Sequence, residues 1–259
     1  MIEKEMIMMK RKKIVVIIII VLFVIGLIFG GYYFYNKFNT TTLPEPTPPI
    51  EDLHSDLYIS GVSVEEVIKY FNEVSLDAEF VNDGDPSKLQ KWVEPIYYFL
   101  NDGYTEDDLV VILNFVNWLN KLDGFPGIYE TKDLKDANLR IYFGNQKKML
   151  QIMGNNFGGL DGGVTFWYLD NKIYDETIFY RTDIDQEVRN SVILEEIYNG
   201  LGPVQDTDIR TDSIIYSGFS KPQELTEIDE LILKLMYNPK MLPGMNALEC
   251  EKVIRQLYY

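Results

Sequence analysis

An uncharged apolar stretch near the N-terminus limits what this chain can fold into more than any other feature. Residues 14–35 contain no Asp, Glu, Lys or Arg. A helix rises about 1.5 Å per residue, so a stretch of this length spans a bilayer hydrocarbon core of about 30 Å. The sequence therefore predicts one transmembrane helix over residues 14–35. The rest of the chain is left for one sizeable domain or two small ones.

The charges before this stretch predict its orientation. Residues 1–13 carry five Lys or Arg, and four of them form the block 10–13. By the positive-inside rule, residues 1–13 form a cytoplasmic basic tail and the chain after residue 36 is extracytoplasmic. A cleaved signal peptide is the alternative, but the stretch is long for one and no small-x-small site follows it. We expect an uncleaved single-pass anchor in the cell membrane.

The composition changes after the apolar stretch. Residues 36–60 are rich in Pro and Thr, which is typical of an extended linker. From residue 61 to residue 259 the apolar residues recur with the periods of helices and strands. The order of helix, strand, helix, strands and further helices predicts one α+β domain with a mixed sheet over residues 61–259.

Capping residues and apolar spacing predict the helices. Ser63 with Glu66 and Thr226 with Asp229 have the spacing of a capping box, and Thr105 is a favourable N-cap. The predicted helices cover residues 64 to about 74, 106–122, 186–200, 227–237 and the segment from about 246 onward.

Short apolar runs predict the strands. We expect strands near residues 78–81, over 91–100 and over 139–143, and a hairpin of 164–168 with 177–180. The hairpin turns at Asp170-Asn171. Residues 144–163 contain six glycines, so a long loop beside any cleft is expected there.

The chain has one histidine and one cysteine, which excludes several kinds of site. Cys250 alone forms no intramolecular disulfide and no cysteine-rich metal site. His54 lies in the Pro-rich linker, where a solvated residue is expected. Ser-His-Asp or Cys-His catalysis would have to use this one residue, and zinc sites built from several histidines are excluded.

The net charge narrows the range of partners. The chain carries a formal charge of −16, and residues after 37 hold 18 basic and 38 acidic side chains. A domain of this charge repels nucleic acid, so we expect no nucleic-acid partner. The partner classes left open are the membrane, through residues 14–35, and a peptide, polymer or protein on the extracytoplasmic side.

The candidate site lies at the end of the helix predicted over 186–200. Residues 195–205 align with the motif H-E-x-x-H-x-x-G-x-x-H of metal-dependent peptidases. Two positions match the motif, namely its glutamate at Glu196 and its glycine at Gly202. The three positions of the metal-binding histidines hold other residues, namely Glu195, Asn199 and Gln205. At 100° per residue, Glu195, Glu196 and Asn199 share the side of the helix opposite its main apolar side.

The residues at these positions also predict which ions the site accepts. One carboxylate and two neutral amides hold Zn²⁺ poorly, so zinc is not expected. Ca²⁺ or Mg²⁺ accepts such oxygen atoms, with help from Asp206 or Asp208. Our expectation is that no metal or other cofactor is bound, with Ca²⁺ or Mg²⁺ as the alternative.

The residues after this helix resemble the end of a matrixin-type zincin domain. The similarity runs through residues 205–209, 213–216 and 225–237, where Ile215 replaces the methionine of the methionine turn and Tyr216 is kept. Residues 62–245 are more similar still to a bacterial envelope family of unknown function with a zincin-like fold. That family commonly shows Glu-Glu-x-x-Gln in place of His-Glu-x-x-His.

The resemblance implies a zincin-like domain in which Glu196 takes the position of the general base. Glu195, Asn199 and Gln205 would then surround the metal position. Three functions follow: a binding module at the envelope, a metallopeptidase-like hydrolase that uses Glu196 and an oxygen-ligated ion, or a structural subunit of an envelope complex. We favour the binding module and do not expect an enzyme.

One further feature of the sequence is open to two interpretations. Phe166-Trp167-Tyr168 and the segment 174–180 are aromatic, so they could line a groove for a sugar or a peptide. In a half-buried sheet such residues more often belong to the core, which is the interpretation we favour.

Overall fold

A computed structural model describes residues 57–76, 88–218 and 222–259. The predicted cytoplasmic tail, transmembrane helix and most of the linker, including His54, lie outside these ranges, as does the strand expected near residues 78–81. Within the described ranges no helix is long and apolar enough to cross a membrane.

A mixed sheet of six strands lies at the centre of the described domain. Its order is β1-β6-β4-β2-β3, and β5 pairs antiparallel with β6 while the other four pairings are parallel. The strands are β1 (Lys91–Trp92), β2 (Ile96–Leu100), β3 (Ile128–Glu130), β4 (Leu139–Gly144), β5 (Gly162–Leu169) and β6 (Lys172–Arg181). Because β5 pairs only with β6 among these strands, its other edge is open.

Six α-helices surround this sheet in the described part of the chain. They are α1 (Val64–Leu76), α2 (Glu106–Leu119), α3 (Gln146–Met153), α4 (Gln186–Gly200), α5 (Glu227–Tyr237) and α6 (Ala247–Leu257). The sheet and helices confirm a mixed α and β domain, although the sheet is mostly parallel.

The predicted caps are present. In α1 the Ser63 amide donates to Glu66 Oε2 at 2.8 Å, and α2 has a capping box of Thr105 and Asp108. The short hairpin turn is also present, because Asp170 and Asn171 have φ angles of 51° and 61°. Two residues with positive φ are typical of a type I′ turn, which matches the twist of antiparallel strands.

Helix α4 lies against the sheet and α2, and it carries the residues of the candidate site. Ile193, Leu194 and Ile197 are buried in the core on one side of the helix. Burial of each such side chain contributes about 1.5–3 kcal/mol. On the side next to α2, Arg189 Nε donates to Asp108 Oδ1 at 2.7 Å, and both side chains are buried. This ion pair fixes the start of α4 to the start of α2.

A second polar network fixes the start of α5. Asp229 accepts hydrogen bonds from Ser213 Oγ at 2.6 Å, from the Ile214 amide at 3.2 Å and from Thr226 Oγ1 at 2.6 Å. Tyr70 on α1 donates to Ser213 Oγ at 2.8 Å. The loop that follows α4 is therefore attached to both α1 and α5.

The structure corrects two predictions about secondary structure. Residues 91–100 do not form one strand, because the chain pairs with β6 at Trp92 and with β3 and β4 only after Pro95. Proline lacks the amide that a central strand needs. The stretch 144–163 is not one long loop, because Asn145 caps α3 through a bond from the Lys148 amide at 3.1 Å.

Candidate functional site

A cleft of about 580 Å³ lies between α4 and the first residues of β5. Three residues of the candidate motif line it, Glu195, Glu196 and Asn199. The same helix adds Val188, Ser191 and Val192, and the segment before β5 adds Asn156, Phe157, Leu160 and Asp161. The glycine-rich segment thus lies beside a cleft, as its composition predicts.

Glycine at position 162 lets β5 approach α4 closely. A Cβ atom there would lie 2.3 Å from Val192 Cγ1 and 2.9 Å from Glu196 Oε1. Since real Cβ atoms do not approach so closely, a side chain at this position would push the strand away from the helix. The glycine therefore helps to define the width of the cleft at Glu196.

The two adjacent glutamates differ in exposure, and both are hard to ionise. Glu196 is only 8% exposed, and burial, followed by the charges of Glu195, Asp206 and Glu176, raises its pKa well above the usual range. Burial, followed by the charges of Asp206 and Asp161, raises the pKa of Glu195 to about 8. The cleft therefore holds at least one of these carboxyl groups in the neutral form at pH 7.

A third buried carboxyl group lies behind the helix. Glu176 on β6 is 2% exposed, and burial is the main cause that raises its pKa. Its Oε1 atom has no hydrogen-bond partner among the described residues. A Cβ atom at Gly200 would lie 1.7 Å from this oxygen, so the end of α4 accommodates Glu176 only because residue 200 is glycine. The sequence does not predict that Glu176 belongs to this site, because only the fold brings β6 next to α4.

The cleft contains hydrogen-bond acceptors to which the described residues donate no hydrogen bond. Neither glutamate side chain, Glu195 or Glu196, accepts a hydrogen bond from the part of the chain that the structure describes. Asn199 Oδ1 is buried and also has no partner there. Asp161 differs, because it forms an ion pair with Arg181 at 3.1 Å. The described residues that line the cleft include no Lys or Arg.

Gln205 lies apart from the other three residues of the motif. Its neighbours Val204 and Asp206 line the cleft, whereas Gln205 does not, and its amide donates to Val74 O at 3.3 Å. Asp208 is also outside the cleft, where its amide donates to Glu73 Oε1 at 3.1 Å. The structure thus brings together Glu195, Glu196 and Asn199 with Asp206.

These residues do not fit the zinc ion that a zincin-like fold implies. Of the three positions that correspond to metal ligands, only Glu195 and Asn199 line the cleft, and burial favours the neutral form of Glu195. Zinc prefers imidazole or thiolate ligands. Across residues 57–76, 88–218 and 222–259, no group of three His, Cys, Asp or Glu side chains is arranged to hold a metal ion.

The aromatic residues of the hairpin divide between the core and the surface. Phe179 and Tyr180 on β6 are buried, which agrees with the interpretation as core. Trp167, Tyr168 and Tyr174 near the turn are 65%, 50% and 54% exposed, so the expectation of a core position is wrong for them. They do not line the cleft beside Glu196.

Comparison with known proteins agrees with the extent of this domain. The sequence matches the family model described as Protein of unknown function (DUF2927) over residues 64–256. The match begins at the first residue of α1 and ends within α6, so it includes every strand of the sheet. No curated protein matches the sequence. The chain belongs to the DUF2927 family.

Proposed function

We propose that this domain is a binding module of the cell envelope that holds its ligand in the cleft between α4 and β5. In this proposal residues 14–35 anchor the protein in the cell membrane, with the N-terminus in the cytoplasm and the domain outside. The observation that carries the proposal is the Glu196 side chain, which is 8% exposed and lines the cleft without a hydrogen bond from the described residues. A buried polar group without a partner is costly, so a ligand that supplies the partner is favoured.

The arrangement around Glu196 supports a zincin-like fold as part of the proposal. Glu196 lies on a long helix beside the open edge of a mixed sheet, and a capped helix begins after Thr226. The volume of the cleft lies in the range of ligand-binding pockets, about 300–1,000 Å³. An open cleft with polar groups also favours a binding module over a purely structural subunit.

The chemistry of the cleft supports binding more than hydrolysis. A general base has to be ionised to accept a proton from water, but burial and Glu195 favour the neutral form of Glu196. An oxygen-ligated Ca²⁺ or Mg²⁺ ion would reverse this preference, which is the basis of the alternative hydrolase. Glu195 and Asn199 would be the residues of α4 nearest to such an ion.

Co-sedimentation of the detergent-solubilised full chain with washed envelope material tests this proposal. Val188 is half-buried and lines the cleft, so Val188→Trp fills the cleft, whereas Val110→Trp adds the same bulk at an exposed position of α2. We expect the wild type and Val110→Trp to sediment equally. Val188→Trp should bind about ten-fold less tightly, a loss of about 1.4 kcal/mol.

Two results would contradict the proposal. Equal sedimentation of Val188→Trp and the wild type would mean that the cleft is not the binding site. Release of new amino groups from the envelope material by the wild type, but not by Glu196→Gln, would identify a hydrolase. Circular dichroism of each variant shows whether it has kept its fold.

A further inference from the structure

We infer that the ligand of this cleft presents a primary ammonium group on an aliphatic stem, as a lysine-type side chain does. This inference rests on the proposed function and adds the chemical class of the ligand. It is drawn from three observations, namely the kind of polar atoms that lack partners, the charge of the cleft lining and the apolar residues around it.

The cleft lining offers hydrogen-bond acceptors to a ligand. Asn199 Oδ1 is buried without a partner among the described residues, and the carboxyl groups of Glu195 and Glu196 on the same helix line the same cleft. Glu196 is more than nine-tenths buried. An ammonium group has three donors and no acceptor, so it matches a site that offers two ionised carboxylates and one amide oxygen. A carboxylate or phosphate ligand would add further acceptors and is disfavoured.

The charge of the lining also selects a cation. Asp161, Glu195 and Glu196 line the cleft, and the described lining includes no Lys or Arg. Arg181 pairs with Asp161, and no basic side chain of the described residues pairs with either glutamate. A bound ammonium group would stabilise their ionised forms, because an opposite charge at short range favours ionisation.

The apolar part of the cleft distinguishes an organic cation from a metal ion. The cleft measures about 580 Å³, which is much more space than a single ion needs. Apolar side chains supply much of its lining: Phe157, Leu160, Val164, Val188, Val192 and Val204. Such a surface gains free energy from burying methylene groups, about 0.8 kcal/mol for each. An aliphatic stem that ends in an ammonium group satisfies both parts of the cleft.

Isothermal titration calorimetry of the detergent-solubilised full chain tests the inference. The probe is Nα-acetyl-lysine N-methylamide, and its Nε-acetylated derivative is the neutral control. We expect the amine to bind and the acetylated form to bind at least about ten-fold more weakly. Glu195→Gln and Glu196→Gln should each weaken binding of the amine about ten-fold. Glu94→Gln, at an exposed position outside the cleft, should leave it unchanged.

Each other outcome has a defined meaning. Equal affinity for the two forms of the probe, tighter binding of the matching arginine derivative, or no binding of the amine would overturn the inference. Stoichiometric binding of Ca²⁺ that displaces the amine would replace it with a metal site. None of these results removes the proposed binding function, which is tested separately by Val188→Trp with envelope material.

Discussion

At the scale of single residues, the behaviour of Glu195 and Glu196 follows from where the fold places them. The sequence predicts that both lie on one side of a helix with Asn199, and all three line the cleft. It does not predict that Glu176 comes close, because that carboxyl group belongs to a strand about twenty residues earlier and only the tertiary fold joins the two. The strength of the pKa shifts arises from this clustering as well as from burial.

The first prediction concerns the dependence of stability on pH through Glu195. Its pKa is raised from 4.5 to about 8 in the folded protein. The full contribution of this group to the stability of the folded state is therefore present below pH 4.5. That contribution is lost as the pH rises to about 8. Glu195→Gln should therefore be about as stable as the wild type at pH 4.5. At pH 8 it should be more stable by about 4 kcal/mol, since one pKa unit corresponds to about 1.4 kcal/mol.

Urea denaturation at a series of pH values measures this difference. Glu94→Gln is the matched control, because Glu94 is exposed and makes no hydrogen bond through its side chain to the described residues. It should differ from the wild type by no more than about 0.5 kcal/mol at any pH. A wild type and a Glu195→Gln variant with parallel pH profiles would show that Glu195 is not buried among acidic groups.

At the scale of secondary-structure elements, local signals predict more than tertiary ones do. Three helix starts follow from capping residues because the cap and its partner are only three residues apart. The sequence does not predict α3, because six glycines fall within residues 144–163, yet all six lie outside Gln146–Met153. It does not predict the break between β1 and β2 either, because the break depends on a change of partner strands as well as on Pro95.

The ion pair between α2 and α4 gives the second prediction. Arg189→Met removes the guanidinium group and leaves Asp108 buried without its charged partner. Removal of one partner from a buried pair costs about 3–5 kcal/mol. Arg255→Met is the control, since Arg255 pairs with Glu65 at the surface, and it should cost less than about 1 kcal/mol. Equal loss in urea denaturation would mean that the buried pair does not join the two helices.

The third prediction compares two capping boxes. Asp229 caps α5 and also accepts from Ser213 in the core, whereas Glu249 caps α6 at the surface. Asp229→Ala leaves buried donors without an acceptor and should cost about 3 kcal/mol, while Glu249→Ala should cost about 1 kcal/mol. Differential scanning calorimetry gives both values. Similar melting temperatures for the two variants would show that the Asp229 network adds nothing beyond the cap.

At the scale of the whole molecule, a predicted membrane anchor precedes a domain whose cleft offers acceptors and negative charge. The family model matches residues 64–256, and its description names no activity from which a substrate could be inferred. The function proposed here therefore depends on the cleft itself. Its lining combines apolar side chains with glutamates that accept no hydrogen bond from the described residues. A metal-dependent hydrolase would need ligands that Glu195 and Asn199 supply poorly.

Because the cleft is proposed to bind its ligand without a resident metal ion, the decisive measurement is the metal content of the purified full chain. Elemental mass spectrometry gives the content, and thermal melting before and after EDTA shows whether any ion stabilises the fold. We predict substoichiometric metal and an unchanged melting temperature. A stoichiometric ion that EDTA removes, that lowers the melting temperature when lost and that is absent from Glu195→Gln would contradict the account.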